Sequence, residues 1–203
     1  MHSRYLVPAL APFFALLLLA GSSYAAVDIV FAEQGGDVVA TMSGTLNLTA
    51  LSSPGTGGQP GFVRPDTGFV MLAGSSSSFT TYTTGIQTPP NSGIFGTGGA
   101  TLASSFSGDV LGIVSAGTPA LRVPSGYVSG DPLSSTTTWS SATLASLGIT
   151  PGSYTWSWGS GANADTATLT ASAVPEPSTW LFLASAASSG VVVAWRRRRA
   201  CRG

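Results

Sequence analysis

Lysine is absent from this 203-residue chain, and histidine and cysteine occur once each, as His2 and Cys201. Between Ala26 and Ala173 none of the three occurs. That body therefore lacks the side chains for Ser-His-Asp or Cys-His nucleophiles and for His- or Cys-ligated zinc. It also has no disulfide, so a packed core must hold it together, and about 150 residues suffice for one. Neither a GxSxG elbow nor a phosphate-binding glycine loop is present. No cofactor is expected.

Charge is scarce too, at 8% of residues. The body carries Arg64 and Arg122 against Asp28, Glu33, Asp37, Asp66, Asp109, Asp131 and Asp165, a net charge near −5. Such a surface displaces no counterions from phosphates, which excludes nucleic acid as a partner. Paired carboxylates can run glycoside hydrolysis, but one glutamate and six scattered aspartates are a poor basis for it. Asp109, Asp131 and Asp165 stand apart without the spacing of a calcium loop, and solvated loop positions suit them better than a metal site. The chain is read as non-catalytic.

The remaining basic charge sits at the two ends. Arg4 precedes an apolar run from Leu10 to Ala20, and Ser23 and Ala25 put small residues at −3 and −1 of a cleavage site. This is the pattern of a signal peptide over 1–25, cut before Ala26. The far end reads "VPEPSTWLFLASAASSGVVVAWRRRRACRG". Its apolar run, about 180–195, would cover ~24 Å as a helix, somewhat short of a ~30 Å hydrocarbon core. Trp180 and Trp195 bracket it as interfacial aromatics do, and Arg196, Arg197, Arg198 and Arg199 hold its end in the cytoplasm by the positive-inside rule. The body is then outside. Pro177 disfavours helical geometry at Glu176, so the triplet Pro175-Glu176-Pro177 is expected to be extended where it leaves the membrane.

The triplet, the apolar run and the arginine cluster, in that order, resemble the PEP-CTERM protein-sorting signal of Gram-negative bacteria, here spanning 174–203. The resemblance implies that an exosortase, a membrane-embedded transpeptidase-like enzyme, recognises Pro175, Glu176 and Pro177 and cleaves nearby. The membrane anchor is then transient, and the body is delivered to the cell surface or released. The resemblance further implies a setting of exopolysaccharide and biofilm, and a structural or adhesive role there.

Residues 26–173 read as strands separated by turns. Val27–Ala32 is an apolar run, Gln34-Gly35-Gly36 is a hairpin turn, and a second strand begins at Asp37. Leu46, Leu48 and Ala50 alternate with Thr45, Asn47 and Thr49 as in a strand with one wet face. Ser52–Gly61 reads as a flexible loop. Further strands are expected at Gly68–Ala73, Phe79–Thr84, Ala100–Phe106, Val110–Val114, Leu121–Val123, Tyr154–Trp158 and Ala164–Ala171. One helical turn is expected at Ala142–Leu147, capped by Ser141 and ended by Gly148. The pattern is all-β, an antiparallel β-sandwich.

Tyr154, Trp156 and Trp158 share one face of their strand. They suit either the core between two sheets or, exposed, a platform for sugar rings in a carbohydrate-binding module. Trp139 leaves the same choice open. Asn47-Leu48-Thr49 fits a glycosylation sequon, which carries little meaning in a bacterium.

Overall fold

Val27, Ile29 and Phe31 are fully buried while Asp28 and Val30 between them are exposed, the two-residue period of a strand with one face on a core. The computed structural model describes residues 26–52, 55–72 and 78–173. Over them the chain forms β1 (Ala26–Gln34), β2 (Asp37–Thr45), β3 (Gly55–Gly58), β4 (Phe62–Arg64), β5 (Phe69–Leu72), β6 (Ser78–Tyr82) and β7 (Ile86–Gln87). It continues with β8 (Thr101–Leu102), β9 (Ser105–Gly108), β10 (Leu111–Val114), β11 (Ala120–Pro124), β12 (Pro132–Trp139), β13 (Gly152–Trp158) and β14 (Asp165–Ser172).

The strands make two sheets of seven. The first has the order β7-β13-β14-β1-β2-β12-β9, the second β3-β6-β11-β10-β5-β4-β8. Between them lies one apolar core. Val27, Ile29, Phe31, Val38, Ala40, Met42 and Leu169 come from the first sheet and Val63, Val70, Leu72, Leu111, Ile113, Leu121 and Val123 from the second. Fully burying a side chain of this size is worth ~1.5–3 kcal/mol. A smaller cluster of Phe62, Met71, Phe79 and Val110 forms on the other face of the second sheet. There the Arg122 guanidinium lies 4.8 Å from the Phe69 ring centre and 4.9 Å from that of Phe79.

The expected hairpin is present: Gln34 pairs with Asp37, and Gly35 and Gly36 take φ of 62° and 90°. A two-residue turn of this hand needs positive φ at both positions, which two glycines supply without strain. The all-β reading holds, but the sheets are not purely antiparallel. β1 and β14 run parallel, with Ala26 opposite Thr166 and Ala32 opposite Ser172.

Four local expectations differ. The Leu46–Ala50 alternation survives as burial, with Leu46 and Leu48 inside, yet this segment is not a strand. Side chains meet its backbone instead: Leu46 N–H donates to the Tyr127 hydroxyl, Asn47 N–H to Asp165 Oδ2 and Leu48 N–H to Ser129 Oγ. Within the expected loop Ser52–Gly61, Gly55–Gly58 forms edge strand β3 against β6. The Ala100–Phe106 run divides, β8 joining the second sheet and β9 the first. The Ala142–Leu147 stretch makes only one i→i−4 bond, from Leu147 N–H to the Thr143 carbonyl. It ends as a Schellman motif, with Gly148 at φ 66°, Gly148 N–H on Ala145 O and Ile149 N–H on Leu144 O. Ser141 does not cap it. Thr143 caps it instead: Ser146 N–H donates to Thr143 Oγ1 at 3.0 Å and Thr143 N–H to Ser146 Oγ at 2.8 Å. The acids flanking the β1–β2 turn tie it to that hairpin, Leu144 N–H donating to Glu33 Oε1 at 2.6 Å and Ser141 N–H to Asp37 Oδ1 at 2.8 Å.

Candidate functional site

The stripe on β13 belongs to the core. Trp156 and Trp158 are 1% and 2% exposed, and Tyr154 is half-buried. Each polar tip is engaged: Trp156 Nε1–H donates to Ser115 Oγ at 2.8 Å, Trp158 Nε1–H to the Asn47 carbonyl at 2.8 Å, and the Tyr154 hydroxyl to the Thr150 carbonyl at 3.0 Å. The Tyr154 ring also packs against Phe95 at 5.9 Å. Neither tryptophan offers a free ring face for stacking on a sugar. Trp139 is likewise inside, stacked on Phe31 at 5.5 Å, with Nε1–H on the Thr101 carbonyl.

Four of the seven acids of the body hold backbone. Besides Glu33 and Asp37, Asp109 Oδ2 accepts from Ser134 N–H, and Asp66 pairs with Arg64 at 3.0 Å on the surface. Asp165 accepts from Asn47 N–H and Thr166 N–H, both at 2.6 Å. Asp109, Asp131 and Asp165 do not converge. Among the described residues no group of three or more His, Cys, Asp or Glu side chains is placed to hold a metal ion. In Asn47-Leu48-Thr49, Asn47 Oδ1 accepts from Thr49 N–H, a local turn that ties the side chain down.

The outer face of the first sheet is the part of the body that reading for strands and catalysts missed. Ser153, Thr170, Val30, Thr41, Thr136 and Ser107 stand in register across six adjacent strands. A second row runs Thr155, Thr168, Asp28, Ser43 and Ser134. All of these are exposed or half-buried. Neighbouring positions in a row lie ~4.8 Å apart, the strand spacing. In "PLSSTTTW" Leu133, Ser135, Thr137 and Trp139 are buried and Ser134, Thr136 and Thr138 face out, an alternation that the run of serines and threonines conceals in the sequence.

β14 is the last described strand, hydrogen-bonded along its length to β13 on one side and β1 on the other. It ends at Ser172, three residues before Pro175. The signal peptide (1–25), Pro175-Glu176-Pro177, the apolar run and Arg196–Arg199 lie outside the described residues. Among the described residues no helix is long and apolar enough to cross a membrane. Residues 173–199 match the family model of the PEP-CTERM protein-sorting motif. The chain carries a PEP-CTERM sorting motif. No curated protein and no solved structure matches the chain.

A PEP-CTERM motif implies an exosortase as processing partner and export toward the cell surface. In this PEP-CTERM chain the motif starts directly after a strand at the heart of a sheet, so the folded body and the sorting signal are contiguous.

At the opposite end of β14 from that junction, Ser157, Trp158, Gly159, Ala164, Asp165 and Thr166 line an open cleft of about 360 Å³. Its one carboxylate is already committed to two backbone donors. Burial pushes Asp165 up to about 6 from 3.8, against those two donors, which favour the ionised form. The folded chain therefore holds this proton over a range where the unfolded chain has lost it. The contribution of Asp165 to stability is fully present below pH ~4 and is lost as pH rises through ~6. With solvent reaching the cleft, the change is roughly 1–2 kcal/mol. Urea unfolding at pH 4 and pH 7 should show it as a difference between the native chain and Asp165→Asn that shrinks or reverses with pH. An unfolding difference independent of pH would contradict it.

Proposed function

We propose that this protein is a non-catalytic, exported surface or extracellular-matrix component, held briefly in the membrane by its tail and delivered by exosortase cleavage near Pro175-Glu176-Pro177. The observation that carries this reading is the match of residues 173–199 to the sorting motif, placed directly after β14. The body supports a structural role. Four of its acids hold turns and strands, and its aromatics fill the core.

An adhesive role toward neutral exopolysaccharide falls to the hydroxyl rows on the outer face of the first sheet. Each hydroxyl both donates and accepts, as does each sugar hydroxyl; β1 interrupts the rows with Val30 and Asp28, leaving hydroxyls of β13 and β14 on one side and of β2, β12 and β9 on the other. The Tyr154, Trp156 and Trp158 stripe is a weaker candidate, because its tryptophans are spent on the core.

Co-sedimentation of the exported protein with exopolysaccharide from the producing cells tests this role. Lysine at Thr41 and, three strands away on the same face, at Ser153 (Thr41→Lys, Ser153→Lys) should abolish pelleting while leaving the unfolding free energy within about 0.5 kcal/mol of the native protein. Pelleting that survives both changes would remove the adhesive role from this face.

A further inference from the structure

We propose that one end of the two-sheet body is the surface that meets the sorting peptidase. That end comprises the β1–β2 turn at Gly35-Gly36, the turn at 140–148 and Pro151-Gly152. The opposite end, where Ala26 emerges, points away from the membrane. The inference rests on the reading that an exosortase cuts the tail, and it adds how the substrate stands while it is cut.

The parallel pairing of β1 with β14 sets this polarity. Ala26 lies beside Thr166, while Ser172 lies beside Ala32 and Ala171 beside Gly152. The two ends of the described body therefore leave from opposite poles. Ser172 exits between the β1–β2 turn and the turn that precedes β13.

The tether is short. Only Ala173 and Val174 separate Ser172 from Pro175, and the three Cα steps span at most ~11 Å when fully extended. A peptidase closing on the triplet thus works within about one strand-pair width or two of the sheet end. Slack from the body is costly. Ala171 is buried, and β14 is paired over seven residues with β1 and over seven with β13. Peeling it back would open two ladders at once and expose the inner face of the sheet. An edge strand in the same place would have left the tail free to lengthen.

The end face suits such proximity. Glu33 and Asp37 do not project from it, because each accepts a backbone N–H of the 140–148 turn. What faces outward is turn backbone and the exposed Gln34, Gly35 and Gly36.

The test places one bulky obstacle at either pole of the full-length chain and follows release in the producing cells. A small folded domain inserted at Gly35-Gly36 should slow release by about an order of magnitude, the effect of ~1.4 kcal/mol on the cleavage barrier. The same domain inserted between Gly161 and Asn163, at the far pole, should release like the unmodified chain. A flexible spacer of about ten residues between Ala173 and Val174, ~17 Å in root-mean-square length, should rescue the first insertion. Equal release from the two insertions would overturn the docking surface. So would a block that the spacer fails to rescue, since that marks misfolding rather than obstruction. Failure of the unmodified chain to be processed would instead strike at exosortase sorting itself.

Discussion

Replacing the triplet by Pro175→Ala, Glu176→Ala and Pro177→Ala should leave the protein in the membrane fraction with its tail attached, and surface or extracellular material should fall to background. The expectation follows from how little else in the tail is distinctive. On the proposed reading the apolar run and the arginines would set depth and orientation, as in any anchor, and neither would mark a bond for cleavage. The triplet does both things a cleft needs. Proline at 177 disfavours helical geometry at Glu176, and Glu176 is the one acidic side chain between Val174 and Gly203. Alanine restores helical freedom and removes the charge. Fractionation with an antibody to the body reads the outcome. Undiminished release by the triple variant would mean that recognition lies elsewhere.

The second large effect concerns the body. Trp156→Ala should destabilise it by ~3–5 kcal/mol, the usual result of removing a buried tryptophan. Two losses combine. The ring, 1% exposed, leaves a cavity between the sheets, and Ser115 Oγ, itself buried, loses the indole N–H at 2.8 Å. Against a total stability of ~5–15 kcal/mol, the variant is on the edge of folding. Trp156→Phe, which keeps most of the volume and loses the N–H, should cost about 1–3 kcal/mol. Urea unfolding measures both. Were the stripe a surface platform for sugar, both changes would stay within ~0.5 kcal/mol of the native protein.

Much of this was legible in the chain, for stated reasons. Val27, Ile29 and Phe31 alternating with polar or exposed neighbours, then Gly35-Gly36, then Asp37, dictate a hairpin whose turn hand only glycine fits easily. The sorting motif was equally plain, because the triplet, apolar run and arginines follow one another in a single short segment and need no distant partner to be read. What was hidden depends on partners distant in sequence. β12, with Ser and Thr where a central strand usually has aliphatics, is a strand because β2 and β9 flank it. Leu46–Leu48 keeps the burial of a strand but takes its hydrogen bonds from Tyr127, Ser129 and Asp165. The turn at 140–148 has a local Thr143–Ser146 cap, but its attachment to the β1–β2 hairpin comes from Glu33 and Asp37, more than a hundred positions away. The parallel β1–β14 pair, which fixes the poles of the body, joins the two ends of the folded region and has no local signature at all.

Transient anchoring is tested most directly by the intact mass of the protein recovered from the cell surface and medium. The predicted polypeptide begins at Ala26 and ends close to Pro175-Glu176-Pro177, without Trp195 or Arg196–Arg199. Surface material that still carries the arginine cluster would contradict it.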